Sequence, residues 1–288
     1  MALSLKKNIL CTPLEPWFLR EYNQIMDSLK LGKADCHLHS VYSDGDAEIA
    51  DILEYVQNQT DLDVIAITDH DTIEGALLAK KLMADRDYNF QLIIGEEITT
   101  NEGHLVGLFL QEAVPANLSI QETLARIRIQ KGLAIAVHPF YHSRMQPARY
   151  ATMDGIGATT LLRNNAFIDA VEIVNATPTL ADENLAASIL NKTLLFNAEV
   201  GGSDAHILEA IGMGYTLFEG KTARDFRQAV LEHQTRAMYQ NWSYLGLVKY
   251  GFFYFPRGLR LLIHTILHGR RHRAPDLLEE EIIKEGNS

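Results

Sequence analysis

Asp35-Cys36-His37-Leu38-His39-Ser40-Val41-Tyr42-Ser43-Asp44 places three side chains of metal-binding type, His37, His39 and Asp44, in one short stretch. Successive side chains of an extended strand point to opposite faces, so the spacing predicts His37 and His39 on one face. Cys36 and Leu38 then turn the other way, into apolar packing. Two imidazoles on one face make a clamp for Zn, Mn or Fe, and the Asp44 carboxylate adds a hard ligand nearby. An HxH pair alone is weak evidence of a site. What gives this one weight is that the later His and Asp residues of interest also fall at the ends of predicted strands.

Working outward, a first strand is expected over Lys33–His39, and Ser43-Asp44-Gly45-Asp46 has turn chemistry. Asp46 is positioned to cap a helix with Ile49, Ile52, Leu53 and Val56 on its buried face. Asp63–Thr68 is a nearly continuous β-branched run, the mark of a strand buried on both faces. A helix over about 72–85 precedes strands at Gln91–Ile98 and His104–Leu110. Ser119 caps a helix that Gly132 ends, and strand Leu133–Val137 runs into His138-Pro139. Beyond a Gly/Thr/Asn-rich connection at 151–165 come strand Ala170–Asn175, helix Leu180–Lys192, strand Leu194–Val200 and a helix over about 222–233. Upstream, Phe18, Tyr22, Ile25, Met26 and Leu29 fall at helical spacing over 14–30.

Alternating strands and helices predict a parallel sheet, closed as a barrel or open and doubly wound. A barrel carries its site at the carboxyl ends of strands all around one rim. An open sheet would concentrate the same residues at one switch point. Their recurrence along the whole region favours the α/β barrel.

Composition narrows the function. The chain has 288 residues, 47% hydrophobic and 22% charged, an ordinary globular balance. No apolar leader with a basic flank is evident, and the only two cysteines, Cys11 and Cys36, form no disulfide framework. Both features predict a cytoplasmic protein. The net charge of −11 argues against long duplex nucleic acid as a partner. A Gly-x-Ser-x-Gly elbow and a Walker loop are both absent from the sequence.

Each further piece has a plain reading and a chemical one. Thr68-Asp69-His70-Asp71 reads as a helix cap or as a ligand with orienting neighbours. Gly95-Glu96-Glu97-Ile98-Thr99 puts two carboxylates on opposite faces of a strand, one inward and one toward solvent. His104 reads as a core histidine, and His138-Pro139 as a strand stop. Ser203-Asp204-Ala205-His206, after two glycines that let the backbone bend, repeats the i, i+2 clamp. Their joint placement on one rim favours the chemical reading of the set.

These motifs resemble the PHP (polymerase and histidinol phosphatase) superfamily: H-L-H with S-D-G at 37–45, T-D-H-D at 68–71, G-E-E-I-T at 95–99, G-H-L-V-G-L at 103–108, V-H-P at 137–139 and G-S-D-A-H at 202–206. The resemblance covers roughly residues 34–220. It implies a distorted (β/α)7 barrel holding two to three divalent ions, Mn, Zn or Fe. It also implies the ligands: His37, His39, Glu97 and Asp204 for a first ion, Glu97 bridging to a second with His104 and His138, and Asp44, His70 and His206 for a third. The chemistry implied is phosphate-ester hydrolysis by a metal-bound hydroxide, without a protein nucleophile. Stand-alone members act on phosphomonoesters of small metabolites or nucleotides, and some cut short oligonucleotides. A regulatory module without turnover is a further alternative, which a complete ligand set disfavours.

Substrate contacts are expected from the loop after His138, with Arg144 and His142 as the candidates and Arg149 and Arg163 behind them. The sequence divides into an N-terminal extension (1–33), the barrel (34–235) and a basic aromatic tail (236–288). Between Glu232 and Asp276 no acidic residue occurs, while Arg236, Lys249, Arg257, Arg260, Arg270, Arg271 and Arg273 contribute +7, leaving −18 on the remainder. The tail is expected to pack on the barrel as a helical hairpin, to contact a membrane surface peripherally through residues 244–273, or to contact nucleic acid.

Overall fold

The computed structural model describes residues 31–141 and 155–255. The helix expected over 14–30, the candidates His142, Arg144 and Arg149, and the tail beyond residue 255 lie outside the described residues. Among the described residues nine strands are present: β1 (Leu31–Asp35), β2 (Val64–Ile67), β3 (Gln91–Thr100), β4 (Gly103–Leu108), β5 (Leu133–Ala136), β6 (Ala170–Asn175), β7 (Ala198–Gly202), β8 (Gly214–Glu219) and β9 (Arg236–Tyr239). The helices are α1 (Ile49–Gln59), α2 (Glu74–Met83), α3 (Ile120–Ile129), α4 (Gly157–Asn164), α5 (Ala181–Leu190) and α6 (Ala223–Leu231). Residues 244–255 are also helical.

The strands form one sheet in the order β7-β6-β5-β4-β3-β2-β1-β8-β9, curled into a nearly closed barrel. Its two ends meet where Thr216 Oγ1 accepts from Gly201 N at 3.0 Å and donates to Gly201 O at 3.1 Å. A lone bridge from Leu38 to Ala205 finishes the closure, with His39 N donating to Ala205 O at 2.9 Å. Gly214 permits this approach, since a Cβ there would lie 2.0 Å from the carbonyl oxygen of Gly202.

Parallel pairing holds for β1–β2, β2–β3, β5–β6 and β6–β7. Antiparallel pairing at β3–β4, β4–β5, β1–β8 and β8–β9 departs from the all-parallel sheet expected. Among the described residues the sheet has nine strands where the resemblance implies seven, with β8 and β9 extending it past β1. Because Arg236–Tyr239 pairs with β8, the sheet continues beyond the boundary placed at residue 235.

One apolar cluster receives residues from all of β1–β8, among them Ala34, Val64, Ile93, Val106, Ile135, Ala170, Val200 and Phe218. Phe226, Ala229 and Val230 of α6 join it. Phe226 meets Phe218 edge-on at 5.5 Å, and Ala223 N donates to Gln91 at the start of β3. Helix α6 therefore plugs the end where β1–β3 begin, which leaves their carboxyl ends free for chemistry. The alternate strand residues face outward under helices: Ile65 and Ile67 lie with Ile49, Ile52, Leu53 and Val56 of α1, the face expected for that helix.

Local departures from expectation have physical causes. Glu48 rather than Asp46 occupies the N-cap of α1, without a side-chain cap bond, and Asp46 N instead donates to His206 O. Residues 157–164, expected as a connection, form α4, burying Thr159 and Leu161 despite their Gly/Thr-rich surroundings. Leu194 and Leu195 end a π-helical turn that Phe196 closes in the left-handed region, so β7 begins only at Ala198. Ser119 forms the expected cap of α3, reciprocated by Glu122.

Candidate metal centre

Strand β1 ends at Asp35, before the imidazoles it aims. Fully buried Asp35 holds this end by accepting from Ser203 N at 3.0 Å and Gly212 N at 2.8 Å. Beyond it the chain loses strict alternation. Cys36 packs in the barrel interior and Leu38 in the layer under α1, so the two share burial but not a face. The rings of His37 and His39 still come together, with centroids 5.2 Å apart.

Glu97 lies at the middle of the rim. Its Oε2 is 3.2 Å from His37 Nε2, 3.1 Å from His39 Nε2 and 3.4 Å from His70 Nε2. Its Oε1 is 2.8 Å from His104 Nδ1 and 3.0 Å from His138 Nε2. Asp204 Oδ1 is 3.3 Å from His39 Nε2 and 3.6 Å from His37 Nε2. Asp44 Oδ1 lies 3.1 Å from His206 Nε2 and 3.9 Å from His70 Nε2. All nine residues singled out as ligands thus converge on one rim. His104 reaches it from the start of a strand, because β4 runs antiparallel to β3 and begins where its partner ends.

Glu96 shows how strand geometry sorts two adjacent carboxylates. It is not the solvent-facing residue expected but is fully buried on the opposite face, accepting from Val114 N at 2.8 Å. Burial pushes its pKa up to about 7, against the lowering effect of that hydrogen bond. Asp69 and Asp71 do not orient imidazoles. Asp69 gathers the loop after His39, accepting from Ser40 N, Ser40 Oγ and Ser43 Oγ, each at 2.7 Å. Asp71 accepts from Thr99 N at 2.7 Å and so ties the turn to β3. Neither caps α2, whose N-cap is Ile73.

The residue that does orient imidazoles is Glu172, missed in the sequence. It accepts from His37 Nδ1 at 2.9 Å, from His138 N at 2.8 Å and from Asn175 Nδ2 at 3.0 Å. Its only sequence signal was a charge inside the apolar strand Ala-Val-Glu-Ile-Val-Asn. By holding Nδ1 of His37 it leaves Nε2 facing the centre. His206 is set similarly, Nδ1 donating to Asp204 O at 2.9 Å. Asp204 and His138 both have positive φ, 52° and 28°, a strained geometry that fits residues aimed by their surroundings.

Burial opposes charge on His37, but the carboxylates of Asp204, Glu172 and Glu97 outweigh it and hold its pKa well above the ordinary imidazole value. His39 is raised to about 10 in the same way, burial yielding to Asp204 and Glu97. Burial, then the charges of His39 and His104, push His70 down to about 4 against the pull of Glu97. Despite their nearness to carboxylates, both ring nitrogens of buried His39 and His104 lack an aligned hydrogen bond among the described residues. Four groupings have ligand atoms close enough to share an ion: His39, Asp44, His70 and His206; His37, His39 and Asp204; His37, Glu97 and His138; His70, Glu97 and His104. The donors fit divalent metals.

Over this rim lies a cavity of about 230 Å³, walled by Tyr141, Thr177, Thr179 and Leu180 and roofed by Tyr250 and Tyr254. The roof belongs to the 244–255 helix, whose Phe253 and Tyr254 rings lie 6.1 and 5.8 Å from His206. Trp242, just before it, donates to Ala176 O at 2.9 Å. The first part of the tail thus packs on the barrel. Arg163 sits exposed on α4 and is not among the cavity's lining residues.

The chain is 42% identical over 119 residues to an uncharacterized protein of Methanocaldococcus jannaschii, covering 38% of this chain and 68% of the relative. A second uncharacterized protein of that organism is 33% identical over 186 residues, covering 65% of this chain and 70% of its own. The fold is similar to that of a two-domain protein of Bacteroides vulgatus containing a predicted PHP-like metal-dependent phosphoesterase, with TM-score 0.54 and 18% identity. That match covers 73% of this chain but only 65% of the larger protein. The PHP domain family matches residues 35–119, and the PHP-associated family matches residues 196–235. Between them, these two segments carry every residue of the imidazole–carboxylate rim except His138 and Glu172, and on this match of motif, fold and centre the chain belongs to the PHP superfamily.

Proposed function

We propose that the protein hydrolyses phosphomonoesters of small metabolites or nucleotides with two to three divalent ions, Mn, Zn or Fe. The observation that carries this reading is Glu97, a buried carboxylate approached by five imidazoles, His37, His39, His70, His104 and His138. Such a set is costly to bury unless it is charge-balanced, and divalent cations supply that balance. His37, His39, Glu97 and Asp204 would hold one ion, Glu97, His104 and His138 a second, and Asp44, His70 and His206 a third. When bound, the ions neutralise phosphoryl charge and make a water acidic enough to attack near neutral pH.

The chain's own residues do the rest. Glu172 fixes the tautomer of His37 and the backbone of His138, so two imidazoles keep their aim as substrate enters. The tyrosine roof limits the space above the rim to about 230 Å³, which supports a small ester over a long strand. Arg144 and His142 are proposed to grip the substrate's phosphate.

Phosphorylated metabolites and short oligonucleotides, offered to Mn-, Zn- and Fe-loaded protein, test the reading. Phosphate release from monoesters, with no phosphorylated protein trapped, is the expected result. Preferential cutting of oligonucleotides would make the protein a nuclease. A covalent phosphoenzyme would overturn hydrolysis by activated water.

A further inference from the structure

Asn175, the last residue of β6, lies buried beside the rim between two carboxylates. Its Nδ2 donates to Glu172 Oε2 at 3.0 Å and to Asp204 Oδ2 at 3.2 Å. The direction of the amide follows from its third partner. Thr177 N, which can only donate, meets Asn175 Oδ1 at 2.9 Å, so the NH2 end faces the carboxylates. Both of its hydrogens are then used, one on each side. The backbone that carries the amide is fixed from α5: Asn175 N donates to Asn184 Oδ1 at 3.0 Å, and Asn184 Nδ2 donates to Asn175 O at 2.8 Å. Across the sheet Asn175 pairs with Gly202, where a Cβ would lie 2.4 Å from Glu172 Oε1, so the glycine makes room for that carboxylate.

The two oxygens of Asp204 thus have different surroundings. Oδ1 faces Nε2 of His39 at 3.3 Å and of His37 at 3.6 Å, the three residues being close enough to share an ion. Oδ2 is the oxygen that Asn175 holds. A carboxylate can offer a cation one oxygen or both. We infer that Asn175 is a positioning residue that restricts Asp204 to one oxygen at the metal, Oδ1, and keeps Oδ2 off it. The ion on this side then retains a coordination position for phosphate, which a two-oxygen Asp204 would occupy. The role calls for a neutral donor. A lysine or arginine in this place would neutralise the two carboxylates on which the ion and His37 depend, whereas an amide orients them and leaves their charge in place. The inference rests on the reading that the rim holds divalent ions, and not on which ester is cleaved.

The full-length protein loaded with cobalt(II) tests it, with Asn175→Ala beside wild type. A second oxygen on the ion raises its coordination number, so the visible absorption of the variant is expected to weaken. Inorganic phosphate is expected to bind the loaded variant ~10–100-fold more weakly, the loss typical of removing an outer partner of a metal ligand. A variant that holds cobalt with the wild-type spectrum and phosphate affinity would overturn the inference. So would a lowered cobalt affinity or melting temperature with no change in either, which is what a purely structural Asn175 would give. Asn175→Leu keeps the volume without the donor and takes the place of the alanine variant if that does not fold. A crystal structure of the metal-loaded wild type decides the matter without any variant: Asp204 bound through Oδ1 alone is the expected result, and both oxygens on one ion would overturn it. Failure of the wild type to retain cobalt would bring down the metal reading and this inference with it, whereas an unaltered spectrum and phosphate affinity bring down the inference alone.

Discussion

All the imidazoles of the rim but His138 sit in or beside backbone that the barrel's ladder or an isolated bridge holds, and three of the six are fixed from behind by a hydrogen bond. His37 has Glu172 at its Nδ1, His206 has the Asp204 carbonyl, and His138 is gripped through its backbone N–H. The helix of 244–255 has no such double fixing. It rests on the Trp242–Ala176 hydrogen bond, the exposed Lys249–Glu209 pair and ring contacts such as Tyr254–His206 at 5.8 Å. Exposed ion pairs contribute little, and ring contacts are tolerant of displacement. The contrast teaches a division of labour. A metal centre needs ligands held to fractions of an ångström, whereas a wall of the cavity that makes no ligand contact tolerates looser packing.

The sharpest way to break this comparison is at the rim. Asp204→Ala removes a carboxylate that faces both His37 and His39. Its loss of phosphate release should exceed the ~10–100-fold expected for an outer partner of a ligand, with the circular dichroism of the fold unchanged. Retained activity would remove Asp204 from the centre. Next comes Glu172→Gln, which keeps the volume but removes the charge behind His37. Metal affinity, measured by titration against a chelator, should fall by ~10–100-fold. An unchanged affinity would reduce Glu172 to a purely structural role.

At the roof the effects should be smaller and local. Phe253→Ala trims a half-buried ring beside His206, at a cost of about 1 kcal/mol in docking of the helix. Hydrogen exchange should quicken across 244–255 while the β3 and β6 amides and the metal content stay as they were. If the barrel amides quicken equally, roof and rim are one cooperative unit and the division fails. Ser119→Ala, remote from both, should cost about 1 kcal/mol by losing the cap of α3. A melting point lowered by roughly 2–4 °C with unaltered metal affinity would confirm that scaffold stability and ligand aim are separable.

Much of the centre was legible because its information is local. H-x-H, T-D-H-D and S-D-A-H each place their ligands within a few residues, and the end of a strand is where barrels put such groups. The buried face of α1 and the cap of α3 were readable for the same reason, from periodicity and from Ser119 just before the helix. Strands β8 and β9 were not read, since β8 takes its meaning from antiparallel pairing with β1 and from the closure beside Gly201, and β9 from pairing with β8. Glu96 looked solvent-facing because alternation tells only which face a residue takes, not whether that face is covered.

By itself, then, the sequence placed ligand-type residues at the ends of its strands, a consequence of short-range spacing, while the ligand set and the class of chemistry were implied by the resemblance to the PHP superfamily. Only the tertiary structure decided that Glu97 stands at the centre, that Glu172 lies behind His37 across 135 positions of chain, and that an aromatic helix roofs the cavity. Those facts depend on which strand ends meet when the sheet curls. No local pattern encodes that meeting, because it is set by the packing of the whole barrel interior and the antiparallel entry of β4.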